Sequence, residues 1–150
     1  MGLKEDIKQQ KGFKSERQKA VVNIVYTEGW IRDLMAETLK PFDLTTQQYN
    51  VLRILRGSYP KPLSTSDIRS RMLDKMSDAS RIVDRLVKKE LLERRVCVED
   101  KRRVDVVIAK KGLKMLDEID GSMKDFDNHL KSISEDEAAT LNAILDKLRS

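Results

Sequence analysis

The chain has 150 residues, of which 37% are charged and 5% aromatic, and its formal net charge is +5. This length is typical of one domain with a proper hydrophobic core. No apolar run approaches the roughly 18 residues of a membrane span, and a single cysteine excludes an internal disulfide. We therefore expect one domain that is soluble and cytoplasmic, with no membrane contact.

The first part of the chain is predicted to be helical, after a polar arm at residues 1 to 14. A long helix runs from Ser15 to about Leu39, where Pro41 ends it. Thr45 then opens a second helix, with Gln48 as its capping-box partner. The positions predicted to be buried are Val21, Ile24, Val25, Ile31, Leu34, Met35 and Thr38 in the first helix and Tyr49, Leu52 and Leu55 in the second.

Residues 63 to 103 are the most informative stretch, because their pattern indicates two short helices, a strand and a basic turn. Ser64 opens the first short helix with Asp67 as its capping partner, and Ser77 caps the second. The side chains predicted to be buried are Ile68, Met72 and Leu73 in the first and Ala79, Ile82, Val83, Leu86 and Val87 in the second. This order predicts a winged helix-turn-helix, in a fold that is mainly α with a small β wing.

The exposed face of the second short helix carries short polar groups and arginines, which suits the major groove of DNA. The basic turn at residues 99 to 103 lies one strand later, within reach of an adjacent minor groove. For Arg81 and Arg85 the alternative is ordinary solvated charge on a helix. The predicted DNA-binding residues are Ser64, Thr65, Ser77, Asp78, Ser80, Arg81, Arg85, Lys101, Arg102 and Arg103.

The residues of the basic turn are expected to play different roles. Arg102 is the leading contact, while Lys101 and Arg103 are expected to add only electrostatic attraction to the DNA backbone. Asp100 is predicted to orient a nearby arginine, with Arg94 in the preceding strand as its partner.

The C-terminal part is predicted to begin with a return strand at residues 104 to 108. Gly112 precedes a helix that reaches Leu130, and Ser134 with Glu137 opens the last helix. The apolar positions of these two helices are Leu113, Leu116, Ile119, Met123, Phe126 and Leu130, then Ala138, Leu141, Ile144, Leu145 and Leu148. Their spacing is close to a heptad seam and exceeds what a small module needs for its own interior.

The charge is unevenly distributed along the chain. Residues 60 to 110 contain 14 Lys and Arg against nine Asp and Glu, whereas residues 111 to 150 contain six against nine. This favours a DNA-binding region at about 44 to 110, flanked by dimerisation helices at about 15 to 40 and 111 to 150. A two-fold dimer would present two recognition helices roughly 34 Å apart, one turn of DNA.

The sequence resembles the multiple antibiotic resistance regulator (MarR) family of bacterial transcription factors over about residues 20 to 150. The motifs that carry the resemblance are LTTQQYNVLRIL at 44 to 55, LSTSDI at 63 to 68, SDASRIVDRLVKKELLERR at 77 to 95 and EDKRRVDVVIAKKG at 99 to 112. The last includes the family's Asp-x-Arg wing signature, here Asp100 and Arg102. The resemblance implies one MarR-like domain that forms a triangular homodimer on a pseudo-palindromic DNA operator, as a ligand-responsive repressor.

The resemblance also implies a cleft for a small aromatic effector between the dimer helices and the winged domain. Tyr26, Trp30 and Tyr49 lie on the two helices that line this cleft in the family, with core packing as the alternative role. No cofactor is expected. His129 is the only histidine, so no His-rich metal site is expected either.

Two residues depart from the family pattern. Glu90 stands where the family usually has glycine at the end of the recognition helix, and Ala109 replaces a preferred threonine before the next helix. The missing glycine should cost a little stability without changing the fold. Redox-sensing members carry a reactive cysteine near the first long helix, so Cys97, between two valines of a wing strand, is expected to be a packing residue.

An enzyme is disfavoured, because the sequence has no Gly-rich phosphate loop, nucleophile elbow, metal-ligand cluster or Cys/His pair. The stronger alternative is a winged-helix module for protein interaction or assembly without specific DNA binding. Such a module would not need Arg81, Arg85 and Arg102 on one face.

Overall fold

The computed structural model describes residues 2 to 150. The helices are α1 (Leu3–Asp6), α2 (Glu16–Leu39), α3 (Thr46–Ser58), α4 (Thr65–Arg71), α5 (Ala79–Lys88), α6 (Lys110–Gly121), α7 (Lys124–Leu130) and α8 (Glu135–Arg149), with a 3-10 turn at Lys40–Phe42. The strands are β1 (Leu63–Ser64), β2 (Leu92–Val96) and β3 (Val104–Ile108), in an antiparallel sheet of order β1-β3-β2. This is the predicted winged helix-turn-helix with helical extensions.

Four of the predicted helix starts are confirmed. In each, a side-chain hydroxyl accepts a hydrogen bond from the backbone N–H three residues later, at Ser15, Thr45, Ser64 and Ser134. The fifth is wrong, because Asp78 rather than Ser77 caps α5. The Ser77 N–H donates to the Asp74 carbonyl at 3.2 Å, so the turn before α5 includes Ser77 and the helix begins one residue later than predicted.

The hydrophobic core lies inside the winged region, between α3, α4, α5, α6 and the sheet. Its buried members include the following predicted positions: Tyr49, Leu52, Leu55, Ile68, Met72, Ala79, Val83, Leu86, Leu116 and Ile119. The prediction for Leu73 is wrong, because α4 ends at Arg71, Met72 is extended and Leu73 is 88% exposed. Val106, Val107 and Ile108 are all buried, because β3 is the central strand and both its faces are covered there.

The terminal helices present apolar side chains that one chain does not bury. On α2 and α8 the positions predicted to be buried but exposed in the single protomer are Val21, Ile24, Val25, Ile31, Leu141, Ile144 and Leu148. The reason is that α2 packs mainly on α3 and the 3-10 turn and also touches α7, so most of its length has no partner within the chain. No helix among residues 2 to 150 combines the length and apolarity that crossing a membrane requires.

The end of α5 adopts the conformation for which the family uses glycine. Glu90 has a φ of 63°, in the left-handed region, and the Leu91 N–H donates to the Leu86 carbonyl at 3.0 Å. This bond is the signature of a Schellman C-cap. A non-glycine residue in this conformation costs roughly 1 kcal/mol in stability. The C-cap forms despite this cost, and the helix ends at the expected place.

Helix α6 is shorter and starts earlier than predicted. It begins at Lys110 and ends at Gly121, and the chain turns through Ser122 and Met123 before α7. Gly112 is therefore inside α6 rather than before it. A Cβ placed on Gly112 would lie 2.5 Å from the Leu91 carbonyl oxygen and 2.8 Å from Ile108 Cγ1.

This close approach predicts that Gly112→Ala destabilises the protein. Leu91 O already accepts a hydrogen bond from the Ala109 N–H at 2.9 Å, so the backbone that the new methyl meets is held in place. We expect a decrease of about 1–3 kcal/mol in the free energy of unfolding, the usual cost of overpacking, in urea unfolding followed by circular dichroism. Gly121→Ala in the same helix is the matched control, because a Cβ there meets nothing within 4 Å. Equal stability of Gly112→Ala and wild type would contradict the predicted clash.

Candidate nucleic-acid interface

One face of α5 is built into the core and the opposite face is exposed. Ala79, Val83 and Leu86 are buried at helical spacing, and α3 and α4 pack against this side. The exposed residues are Ser80, Arg81, Asp84, Arg85 and Lys88. The structure thus brings the predicted polar and arginine side chains together on one surface.

The single acidic residue of this face is paired within the protein. Asp84 forms an ion pair with Arg94 of β2, so it offers little repulsion to an approaching anion. Arg81 and Arg85 form no ion pair with any carboxylate among residues 2 to 150. The exposed face of α5 therefore carries an uncompensated positive charge.

The predicted partnership of Asp100 with Arg94 is wrong. Arg94 lies near the α5 end of the hairpin and pairs with Asp84, whereas Asp100 lies at the far tip. There Asp100 Oδ1 accepts a hydrogen bond from the Arg102 N–H at 3.0 Å, and its carbonyl accepts one from the Arg103 N–H at 3.0 Å. Asp100 is a turn-forming residue that shapes the wing tip.

The wing is the β2–β3 hairpin, whose pairing runs from Leu92 opposite Ile108 to Val96 opposite Val104. Lys101 and Arg102 are exposed in the turn and, within the part of the chain that the structure describes, form no ion pair. Cys97 is only half-exposed, which suits its expected packing role.

Arg103 differs from these neighbours because two carboxylates hold it. Its Nη2 donates to Asp67 Oδ2 at 2.9 Å and its Nε donates to Asp105 Oδ1 at 3.2 Å. Sequence reasoning missed this cluster, since Asp67 lies 36 residues away. Hydrogen bonding with Ser64 holds the pKa of Asp67 below its usual value, and the positive charges of Arg103 and Arg71 lower it further.

The side chains of the other predicted DNA-binding residues either form hydrogen bonds within the protein or are at least half-buried. The Ser64 hydroxyl accepts the Asp67 N–H at 3.0 Å, and Asp78 Oδ1 accepts the Arg81 N–H at 3.1 Å. The Ser77 hydroxyl oxygen is buried and has no hydrogen-bond partner among the described residues, while Thr65 is half-buried. The exposed and uncommitted members of the predicted set are Ser80, Arg81, Arg85, Lys101 and Arg102, and DNA contact by each member of the set stays a prediction.

A cavity of about 570 Å³ opens where the end of α2, the start of α3 and the end of α5 meet. Its lining residues are Ala36, Lys40, Asp43, Leu44, Thr45, Gln48, Arg85, Lys88 and Lys89. The cavity lies between the helices expected to form a cleft, but its lining does not include Tyr26, Trp30 or Tyr49.

The three aromatic side chains have other surroundings. Tyr49 is buried in the core, with the Arg53 guanidinium 5.7 Å from its ring centre. The Trp30 ring meets the His129 ring edge-on at 5.5 Å, and Tyr26 is exposed on α2. The cavity offers mainly cationic groups, which the sequence pattern did not indicate.

Comparison with known proteins gives a family and a set of structural relatives. Residues 42–103 match the model of the MarR family. The MarR transcription factor from Planctomyces limnophilus is 28% identical, with 90% of this chain and 98% of that chain covered and a TM-score of 0.67. A cysteine-to-serine mutant of MarR from E. coli, complexed with operator DNA, is 25% identical over 99% of each chain, with a TM-score of 0.75.

A more distant relative shares the fold. The MepR–DNA complex from S. aureus is 23% identical, with 87% of this chain and 94% of that chain covered and a TM-score of 0.73. The family match covers the helix-turn-helix and the wing tip, and the structural likenesses extend over the terminal helices. Together with the four sequence motifs, they show that residues 42–103 match the MarR family and that the whole chain has the fold of MarR transcription regulators.

Proposed function

We propose that this chain is a transcription regulator of the MarR family that binds a pseudo-palindromic operator as a homodimer, represses transcription there and releases DNA when a small aromatic acid binds. The observation that carries the proposal is the exposed face of α5, where Arg81 and Arg85 have no carboxylate partner among the described residues. The E. coli MarR relative complexed with operator DNA supports the same interpretation.

In this proposal α5 is the recognition helix. Ser80 and Arg81 lie in its first turn, the part of a recognition helix that contacts base edges in helix-turn-helix complexes. An arginine there can donate two hydrogen bonds to guanine. Arg85 lies one turn later and is assigned to a phosphate.

The wing is assigned to the adjacent minor groove. Arg102 and Lys101 are exposed at its tip, without an ion-pair partner among residues 2 to 150, and a narrow minor groove attracts arginine through its negative potential. Repression is the proposed effect, because a dimer bound over a promoter occludes the duplex that a polymerase must enter.

Replacing Arg81 and Arg102 separately should distinguish base reading from electrostatic attraction. Arg81→Ala should cost about 1–3 kcal/mol in binding and relax the preference at one position in each half-site. Arg102→Ala should weaken all sequences more evenly and reduce the salt slope by about 0.9 for each phosphate that is no longer neutralised. Binding isotherms at several salt concentrations, on a duplex that the wild type selects from a random pool and on its scrambled version, measure both effects.

Lys114→Ala is the matched control, because it removes an exposed charge from α6, outside the proposed interface. All three variants should melt like the wild type, since none of these side chains is buried. If affinity is unchanged without either arginine, the proposed interface is wrong and the protein-interaction module becomes the better interpretation.

The terminal helices are proposed to form the dimer interface. The exposed apolar side chains on α2, on α7 and the turn after it, and on α8 are Val21, Ile24, Val25, Tyr26, Trp30, Ile31, Leu130, Ile133, Leu141, Ile144 and Leu148. An exposed apolar set of this size is typical of a protein interface. A two-fold axis would cover it with the same helices of a second copy.

Sedimentation should therefore find a dimer of the intact chain. Ile144→Glu should shift it toward monomer, because a charge would have to be buried in the interface, and deletion of residues 134 to 150 should leave monomers or aggregates. Leu73→Glu is the matched control, because Leu73 is exposed but lies between α4 and α5. A stable, soluble wild-type monomer at micromolar concentration would rule out this interface.

The effector is proposed to bind the cavity between α2, α3 and α5. Lys89 pairs with Asp43 at 3.3 Å, whereas Lys40, Arg85 and Lys88 have no ion-pair partner among residues 2 to 150. A carboxylate bound there would attract Arg85 away from DNA. Because Arg85 belongs both to the cavity and to the exposed face of α5, occupation of the cavity and DNA binding would be coupled.

Benzoate at millimolar concentration should weaken operator binding by about fivefold or more, the lower end of typical coupling. Benzyl alcohol, which lacks the carboxylate, should have little effect, and Lys40→Ala should reduce the benzoate effect without changing binding in its absence. In run-off transcription from a promoter overlapping the operator, added protein should lower the transcript and benzoate should restore it. No response across a panel of aromatic acids would refute the effector site, and a raised transcript would refute repression.

A further inference from the structure

The pairing of β1 with β3 brings the start of α4 beside the base of the wing. Ser64 lies opposite Asp105 in this pairing, and Ser64 is also the residue that caps α4. Two residues apart on an extended chain, Arg103 and Asp105 direct their side chains to the same side. The register therefore places Asp67, in the first turn of α4, next to Arg103.

A single carboxylate oxygen, that of Asp67, links the start of α4 to the base of the wing. Asp67 Oδ2 accepts the Ser64 N–H at 3.1 Å, which completes the α4 capping box, and it also accepts Arg103 Nη2 at 2.9 Å. The Arg103 Nε donates to Asp105 at 3.2 Å, so the guanidinium bridges both carboxylates. A guanidinium has donors in a rigid fork that an ammonium group lacks.

Arg103 stands where the wing tip leaves the hairpin. Its carbonyl accepts the Cys97 N–H at 3.1 Å, the last backbone pair before the loop of residues 98 to 102. The Lys101 and Arg102 side chains lie beyond this point and are exposed. The contacts of Arg103 therefore lie at the point where the wing tip begins to project from the hairpin.

We infer that Arg103 is a positioning residue, which holds the wing at a set angle to α4 and α5 through Asp67 and Asp105, and that it does not contact DNA. The inference rests on the proposed function and deepens it. Recognition helix and wing can enter neighbouring grooves together only if the angle between them matches the DNA. Arg103 then contributes to affinity through the geometry of Arg102 and not through its own charge.

Replacing Arg103 by lysine separates the two roles, because lysine keeps the charge and removes the fork. Arg103→Lys and Arg103→Ala should both weaken operator binding by a similar factor, about fivefold, the scale of two half-exposed ion pairs. Both should change the slope of binding against salt by the same amount, because a displaced Arg102 loses the same phosphate contacts in either variant. Arg102→Ala is the contrasting variant, with the slope reduced by about 0.9, and Arg102→Lys should keep the slope.

Asp67→Asn tests the same ion pair from the other side. Asparagine keeps an oxygen for the Ser64 N–H, and so keeps the cap, but it removes the charge that attracts Arg103. The variant should weaken binding like Arg103→Ala, and the double variant should be no weaker than either alone. Amide hydrogen exchange of residues 97 to 104 in the free protein should become faster in Arg103→Ala, in Asp67→Asn and in the double variant. The melting temperature of each should stay near that of wild type.

Wild-type affinity for Arg103→Lys, or a slope reduced further in Arg103→Ala than in Arg103→Lys, would show that Arg103 acts on phosphates and overturn the inference. Additive effects in the double variant, or unchanged exchange of the wing amides, would overturn it as well. Failure of the proposed function looks different: the wild-type protein itself would then show no preference for the selected duplex over the scrambled one.

Discussion

The packing of α5 against α3 and α4 governs both the stability of the winged region and the surface that it presents. Ala79, Val83 and Leu86 are buried on one side, and full burial of each Val or Leu side chain contributes about 1.5–3 kcal/mol. Turning the helix by one residue would rotate it by about 100° and carry charged groups toward the core. The same apolar contacts that stabilise the winged region therefore decide which side of α5 faces outward.

Acidic residues of the same surface are held by partners within the protein. The arrangement is Asp84 with Arg94, Asp67 and Asp105 with Arg103, and Asp78 and Asp100 with backbone N–H groups. Exposed ion pairs of this kind add little to stability. Their larger consequence is electrostatic, because arginines compensate the carboxylates of Asp84, Asp67 and Asp105 while Arg81, Arg85, Lys101 and Arg102 are left without ion-pair partners among residues 2 to 150. A surface with this imbalance attracts a polyanion.

The terminal helices expose apolar side chains that the rest of the single chain does not cover. Only Leu39, at the end of α2, is fully buried in that helix, whereas Trp30 and Ile31 remain substantially exposed. In the proposed dimer, the packing of these helices would set the distance between the two recognition helices. The cavity at the junction of α2, α3 and α5 lies where a shift of the terminal helices would be transmitted to α5. Dimer geometry, effector binding and operator spacing would then depend on one junction.

Features that depend on residues within one helical turn or one strand of each other could be predicted from the amino-acid sequence alone. These are the caps at Thr45, Ser64 and Ser134, the order of elements, and the buried side of α5, because cap spacing and helical periodicity are local. The partners of Arg103 and Arg94, the exposure of Leu73 and the cationic lining of the cavity emerged only in three dimensions. These depend on strand register, on where a turn ends and on contacts between distant segments. The spacing of residues along the chain contains no direct signal for them.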